Sequence, residues 1–341
     1  MNLKQLSEKL GLSQTTVSRA LNGYPEVNES TRQRVQDAAI KNNYRPNLRA
    51  MSLATGKAMA IGHILPFSSR QDIVNPIFAE FIAGASKIYS QSGYELILNI
   101  TKAQDEESIY RGMAAKRAVD GVIVHSPTQS DPRLAILKEI KMPFVVHGRV
   151  KNSIEPYNWV DMNNRSAFKK ATQLLVDLGH RDIALINGEE TLNFAWLRRC
   201  GFTDALKENS LAANPELMAN AELTETYGYQ TTTTMLKKSP SPTAFIVSSY
   251  VVALGVRRAI SHQGLIMGKD ISVIIHDDEL SYFDNNGDIP QFTSTRSSVR
   301  NAGYLAAEML LKQIKDPNLF PQSVLLESHL IMGDSTGPCM Q

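Results

Sequence analysis

The chain has 341 residues, of which 43% are hydrophobic, with 36 Lys/Arg against 34 Asp/Glu and two cysteines, Cys200 and Cys339. That apolar share builds a sizeable core and excludes a disordered chain. No apolar run reaches the roughly 18 residues of a membrane span, the N-terminus reads as lacking a signal peptide, and two distant cysteines suit free thiols in the cytoplasm. The net charge of +2 is unevenly spread: residues 1–57 carry nine Lys/Arg and four acids, which leaves −3 on the remainder. A basic head on a mildly acidic body fits a phosphate-binding module joined to something else. A solvated charged face would give the same imbalance.

Leu3, Leu6 and Leu10 recur at helical spacing, and Gly11 breaks the pattern as a left-handed turn requires. Ser13 stands at an N-cap position, and the next helix has Val17 and Leu21 four apart on its inner face. Gln14, Thr15, Ser18, Arg19 and Asn22 occupy the other face, all able to hydrogen-bond bases or phosphates. Two short helices around a glycine turn predict a helix-turn-helix whose second helix enters the major groove; a small helical hairpin with a polar outer face fits the segment as well. Asn28 opens a third helix through Ile40, with Val35, Ala38 and Ala39 inward, and Pro46 ends that run. Residues 47–57, from Asn47 to Gly56 and Lys57, are too short for a helix stable on its own.

On Gln14–Asn22, Val27–Arg32, Asn43–Asn47 and the stretch Ala50-Met51-Ser52-Leu53-Ala54-Thr55-Gly56, the chain resembles the lactose-repressor family, and the resemblance runs to about residue 335. It implies a head at 1–46, a hinge helix at 47–57 and an effector-binding, dimerising body at 58–341. It also implies a homodimer that reads a near-palindromic operator in double-stranded DNA, with Gln14 and Thr15 on base edges and Arg19 on a guanine. Thr16, Ser18, Asn22, Thr31 and Asn47 position phosphates in this reading. The hinge folds when two subunits meet over DNA, Ala50 lies close to its twin, and Leu53 wedges into a minor-groove step. Ordinary helix packing is the other role open to Leu53.

From residue 60 onward strands alternate with helices. Strands are expected at 60–65, 94–99, 121–124 and 143–146, and again at 182–186, 243–247 and 271–275. The helices expected early in this series span about Asn75–Ser92 and Glu106–Ala118. Continuous apolar strands between helices mean parallel sheets covered on both faces. Two such halves predict a two-lobed α/β body with a cleft beyond the strand carboxyl ends. Lobe one is placed near 60–160 plus 296–320, and lobe two near 162–291 plus the C-terminal segment. The family uses this fold, that of periplasmic-binding-protein-like sugar binders that hinge shut on ligand.

The resemblance places Arg198 and Asp277 on the ligand, the first as a rigid fork of donors, the second as an acceptor. A surface ion pair and a turn cap are the plainer roles for these two. Phe78 offers either a stacking face or core packing, and Phe194 and Leu223 stand at cleft positions with the same two readings. The chain departs from the family pattern at Ser249-Tyr250, His147-Gly148-Arg149 and Asn163-Asn164, so the cleft is expected to have lost acidic groups, with Tyr250 and His147 available to narrow it or to stack. His147 and His180 read as isolated, no metal-ligand spacing occurs among the seven histidines, and no cofactor is expected.

The leading function is a sequence-specific transcription regulator of repressor type, controlled by a small-molecule effector, a sugar by family habit. Either sign of control fits. A sugar-transport component lacks a reason for the basic head. An α/β enzyme lacks a motif: Leu65-Pro66-Phe67-Ser68 stands where a Gly-rich phosphate loop would follow the strand at 60–65.

Overall fold

The computed structural model describes residues 1–21, 23–44, 56–66, 75–102, 105–151, 153, 155–283, 285 and 288–340. They divide into two compact units, Met1–Met59 and Ala60–Gln341.

The first unit holds helices α1 (Leu3–Leu10), α2 (Gln14–Leu21) and α3 (Glu29–Lys41). Asn2 and Gln5 cap α1 reciprocally, each side chain accepting from the other's backbone N–H at 2.9 Å. Gly11, at φ +65°, turns the chain so that the Leu12 N–H returns to the Ser7 carbonyl. Ser13 Oγ accepts from the Thr16 N–H at 3.0 Å and Asn28 Oδ1 from the Thr31 N–H at 2.8 Å, fixing where α2 and α3 begin. Leu6, Leu10, Val17, Ala20, Val27, Val35 and Ala39 fill the core. Ala20, three residues after Val17, takes the inward position expected of Leu21, which is half-buried at the margin.

In the second unit, lobe one begins with β1 (Ala60–Pro66), α4 (Pro76–Gln91), β2 (Glu95–Thr101), α5 (Glu106–Ala115), β3 (Gly121–His125), α6 (Arg133–Glu139), β4 (Phe144–His147) and β5 (Asn158–Met162). The chain then crosses into lobe two for α7 (Asn164–Asp177), β6 (Ile183–Asn187), α8 (Asn193–Glu208), β7 (Met218–Asn220), α9 (Glu225–Met235), β8 (Ala244–Val247), α10 (Tyr250–His262), β9 (Ser272–Asp277) and β10 (Thr293–Arg296). It returns to lobe one for α11 (Val299–Lys315) and β11 (Ser323–Leu326), and crosses a third time to β12 (His329–Ile331).

The sheets have matching orders, β2-β1-β3-β4-β5-β11 and β7-β6-β8-β9-β10-β12, with every pairing parallel except β10 with β12. Each order reverses beside its first strand, which opens a crevice beyond the carboxyl ends there. All residues of β3, β6, β8 and β9 are buried, as sheets covered on both faces require. Alternate residues of lobe two feed opposite faces: Ile186, Val247 and Ile275 one core, Leu185, Ile246 and Ile274 the other. Helices also meet backbone to backbone. A Cβ on Gly201 of α8 would lie 2.1 Å from the Arg165 carbonyl of α7, so no larger residue fits that crossing.

Candidate functional site

The carboxyl ends of both sheets enclose a cavity of about 500 Å³ between the lobes. β3 leads into Ser126 and Pro127, β4 ends in His147, β5 brings Asp161, β6 leads to Gly188 and Glu189, and β9 delivers His276 and Asp278. Helix α8 adds Phe194 and Arg198 from one wall, and α4 adds Phe78 from the other.

Arg198 is 5% exposed. Its Nε donates to Asn164 Oδ1 and its Nη1 to the Ser248 carbonyl, both at 2.7 Å. The guanidinium carbon lies 4.9 Å from the centre of the Phe194 ring and 5.1 Å from that of Phe168. Burial draws its pKa down to about 10, against the charges of Asp278 and Asp161. Both acids are paired elsewhere. Asp161 faces Arg149 Nε at 2.9 Å, and Asp278 faces His276 Nε2 at 3.3 Å.

The two carboxylates differ in state. Burial pushes Asp161 up to about 6, only partly offset by Arg149. Its Oδ1 accepts from the Met162 N–H at 2.8 Å, while Oδ2 lacks an aligned hydrogen bond despite the Arg149 pair. Burial acts upward on Asp278 too, but the His276 contact and the Arg198 charge outweigh it and hold that carboxyl below the usual range. Beneath this level Arg133, itself buried, pairs with Asp131 at 2.7 Å and Glu106 at 3.1 Å and donates to the His125 carbonyl at 3.0 Å. A cavity walled by a fork of donors, two carboxylates and phenyl rings can hold a polyhydroxylated molecule by both sides of its hydroxyl groups.

On the head, Gln14, Thr15 and Arg19 are exposed, while Thr16, Ser18 and Thr31 are half-buried. Thr16 Oγ1 is 2.8 Å from Ser13 Oγ, and the Thr31 N–H belongs to the α3 cap. Asn22, Asn47, Ala50 and Leu53 lie outside the described residues.

Residues 2–47 match the model for bacterial regulatory proteins of the lacI family, and residues 172–336 that for a periplasmic binding protein-like domain. The HTH-type transcriptional regulator AglR of Rhizobium meliloti (strain 1021) is 44% identical over 99% of this chain and 95% of its own length. The chain belongs to the lacI family of bacterial regulatory proteins. A structure of the lac repressor dimer bound to operator and the anti-inducer ONPF aligns at TM-score 0.83 and 26% identity, over 99% of each chain. The CelR–cellobiose complex aligns at TM-score 0.73 and 25% identity, over 98% of this chain and 99% of the other. The head, the two-lobed body and these relatives make the protein a DNA-binding transcription regulator with an effector-binding body.

Within this lacI-family body, Phe78, His147, Phe194, Arg198 and Leu223 line one cavity. Asp277 does not. It accepts from the Glu279 N–H at 3.0 Å, pairs with Arg296 at 3.1 Å and braces Asn285. Strand alternation decides this: His276 and Asp278 share the cavity side, so Asp277 points away. Tyr250 stacks on Phe283 with ring centres 5.0 Å apart and meets Phe292 edge-on at 5.5 Å, inside lobe two and away from the cavity lining. Ser249 caps α10 and borders a separate cavity of about 290 Å³. Arg149 stands behind the wall, holding Asp161 and covering Trp159 at 5.6 Å.

Acidic groups reach the cavity all the same: Glu106, Asp131, Asp161, Glu189, Glu222 and Asp278 all line it. These acids come from positions other than the altered motifs. One signal was present in the sequence: Asp161 sits alone in the apolar run Trp159-Val160-Asp161-Met162. His147 is likewise not isolated, being 3.4 Å from His125. His180 is a structural bridge from Thr243 to Ser272 at 2.9 and 3.0 Å.

Proposed function

We propose that the cavity binds a small carbohydrate, and that its occupancy sets how firmly a homodimer holds a near-palindromic operator. Arg198 carries this reading. A guanidinium buried between two phenyl rings, with no ion pair among the described residues, wants an oxygen-rich partner. Sugar hydroxyls can accept from Arg198 and donate to Asp161 and Asp278, while ring faces rest on Phe194 and Phe78. Cellobiose, the ligand in the CelR complex, supports the same class. No cofactor is needed, and the setting is the bacterial cytoplasm. On the DNA side, exposed Gln14, Thr15 and Arg19 read base edges, with Thr16, Ser18, Asn22, Thr31 and Asn47 on phosphates, and Ala50 and Leu53 act in the minor groove. Rotation of one lobe against the other changes the spacing of the paired heads.

The test is a thermal-shift series on the full chain with cellobiose, other disaccharides, monosaccharides, sugar phosphates and nucleobases. A true effector adds about 2.7 kcal/mol of stability at a hundred times Kd, so the melting temperature rises with its concentration, and it alters binding to a DNA site selected from random sequence. A response confined to nucleobases overturns the carbohydrate reading.

A further inference from the structure

Three histidines on neighbouring strands of lobe one run from Tyr89 to the cavity wall. His63 lies on β1, while His125 and His147 end β3 and β4 and are register partners. Tyr89 Oη is 3.0 Å from His63 Nε2, His63 Nδ1 is 3.2 Å from His125 Nε2, and His125 Nδ1 is 3.4 Å from His147 Nδ1. The Phe81 ring packs against all three, at 6.0, 4.9 and 4.3 Å between centres.

Burial keeps the chain neutral. It draws His63 down to about 3 and His147 to about 4, and holds His125 well below the ordinary value. A neutral imidazole has one N–H and one lone pair. Each link uses one of each, so the direction at one end fixes all three tautomers.

Tyr89 supplies that direction. Its side chain is 2% exposed, and among the described residues His63 Nε2 is the acceptor its hydroxyl has. Were the chain reversed, the Tyr89 proton would be buried with no acceptor, a state that buried polar groups avoid. The Tyr89 O–H therefore donates to His63 Nε2, His63 Nδ1–H to His125 Nε2, and His125 Nδ1–H to His147 Nδ1. The proton of His147 is left on Nε2. That nitrogen has no protein partner among the described residues, and His147 lines the cavity.

We propose that Tyr89, remote from the ligand, fixes His147 as a hydrogen-bond donor into the cavity, so that the effector must present an oxygen acceptor there. Tyr89, His63 and His125 are positioning residues, and His147 is the specificity-determining contact. A hydroxyl, ring or carboxylate oxygen satisfies this donor, and an ammonium group at the same place does not. The inference rests on the cavity being the effector site, but its test does not.

The full chain, with 15N-labelled histidine and no ligand, is studied by long-range 1H–15N correlation at pH 7, with signals assigned from single His→Gln variants. Free imidazole favours Nε2–H, so the discriminating result is Nδ1–H on both His63 and His125, with Nε2–H on His147. Nε2–H on His63 and His125, or a doubly protonated ring among the three, overturns the proposal. In Tyr89→Phe, part of the population is expected to lose the Nδ1–H state at His63 and His125, while His180 stays unchanged. Complete retention of Nδ1–H overturns the role of Tyr89. Should that variant not fold, His63→Leu cuts the chain one link later, and His125 is read in the same way. Failure of every sugar to bind leaves these tautomers readable, so the two readings fall separately.

Discussion

Replacing Asp161 by asparagine should stabilise the ligand-free protein. The native carboxyl titrates at about 6 and an ordinary aspartate at 3.8, so the folded state binds the proton more tightly than the unfolded chain does. The stability that protonated Asp161 brings is complete below 3.8 and lost as pH rises through 6. That difference corresponds to about 3 kcal/mol at neutral pH. Asparagine has the same shape and keeps the neutral state at every pH. The partner Arg149, whose side chain is 29% exposed, can turn to water when the charge is removed. At roughly 2 °C per kcal/mol for a domain of this size, the melting temperature should rise by about 6 °C at pH 8. Calorimetry of both proteins from pH 3.5 to 8 is the assay. The gap should vanish at the acid end and be full above pH 7. An asparagine variant that melts at or below the parent at pH 8, or a gap that persists unchanged at pH 3.5, refutes the reasoning. The expected loss is functional: a neutral amide supplies one acceptor where the carboxylate supplies two, so effector affinity should fall while stability rises.

Arg198→Met should abolish the effector's influence in DNA-binding titrations while leaving affinity for the selected DNA site unchanged; a normal response would place the ligand elsewhere. Arg19→Ala should relax preference at one base pair, costing about 1–3 kcal/mol there, and equal weakening on random competitor DNA would argue against a base contact. Gly201→Ala should lower stability by at least about 1–3 kcal/mol, because the new methyl meets the Arg165 carbonyl at 2.1 Å and must push α8 from α7. Parent-like melting of that variant would mean the helices separate freely.

The alternation of apolar strands and helices was readable along the body because parallel strands buried on both faces leave continuous runs such as Gly121–Val124 and Ala244–Val247. The head was readable for a local reason, since its caps and turn are made by residues within a few positions of one another. The cavity divided differently. Residues carried by the family resemblance, Arg198, Phe194 and Leu223, do meet there, and so does Phe78, proposed as a stacking face at the start of the first body helix. Asp277 was placed there because a strand end alone does not say which of two adjacent carboxylates faces inward, and the neighbouring sheet edge had to be seen. Asp161 was not singled out because a lone carboxylate in a five-residue strand does not by itself tell which face it takes. The link between His63, His125 and His147 spans 84 residues of sequence and exists only through strand register, which sequence spacing does not report.

The threefold passage of the chain between lobes also bears on how the protein is made. Lobe one starts at Ala60, yet its core includes Val299, Ala302, Ala306, Ala307, Met309 and Leu310 of α11. A ribosome must therefore release nearly the whole polypeptide before that lobe can close, whereas the core of the head is complete after its first few dozen residues; lobe two gains Phe292 earlier but still awaits β12 on its sheet. The nascent chain passes through a stage in which a finished DNA reader trails behind half-built apolar surface, and the last strands to emerge are the ones that seal it.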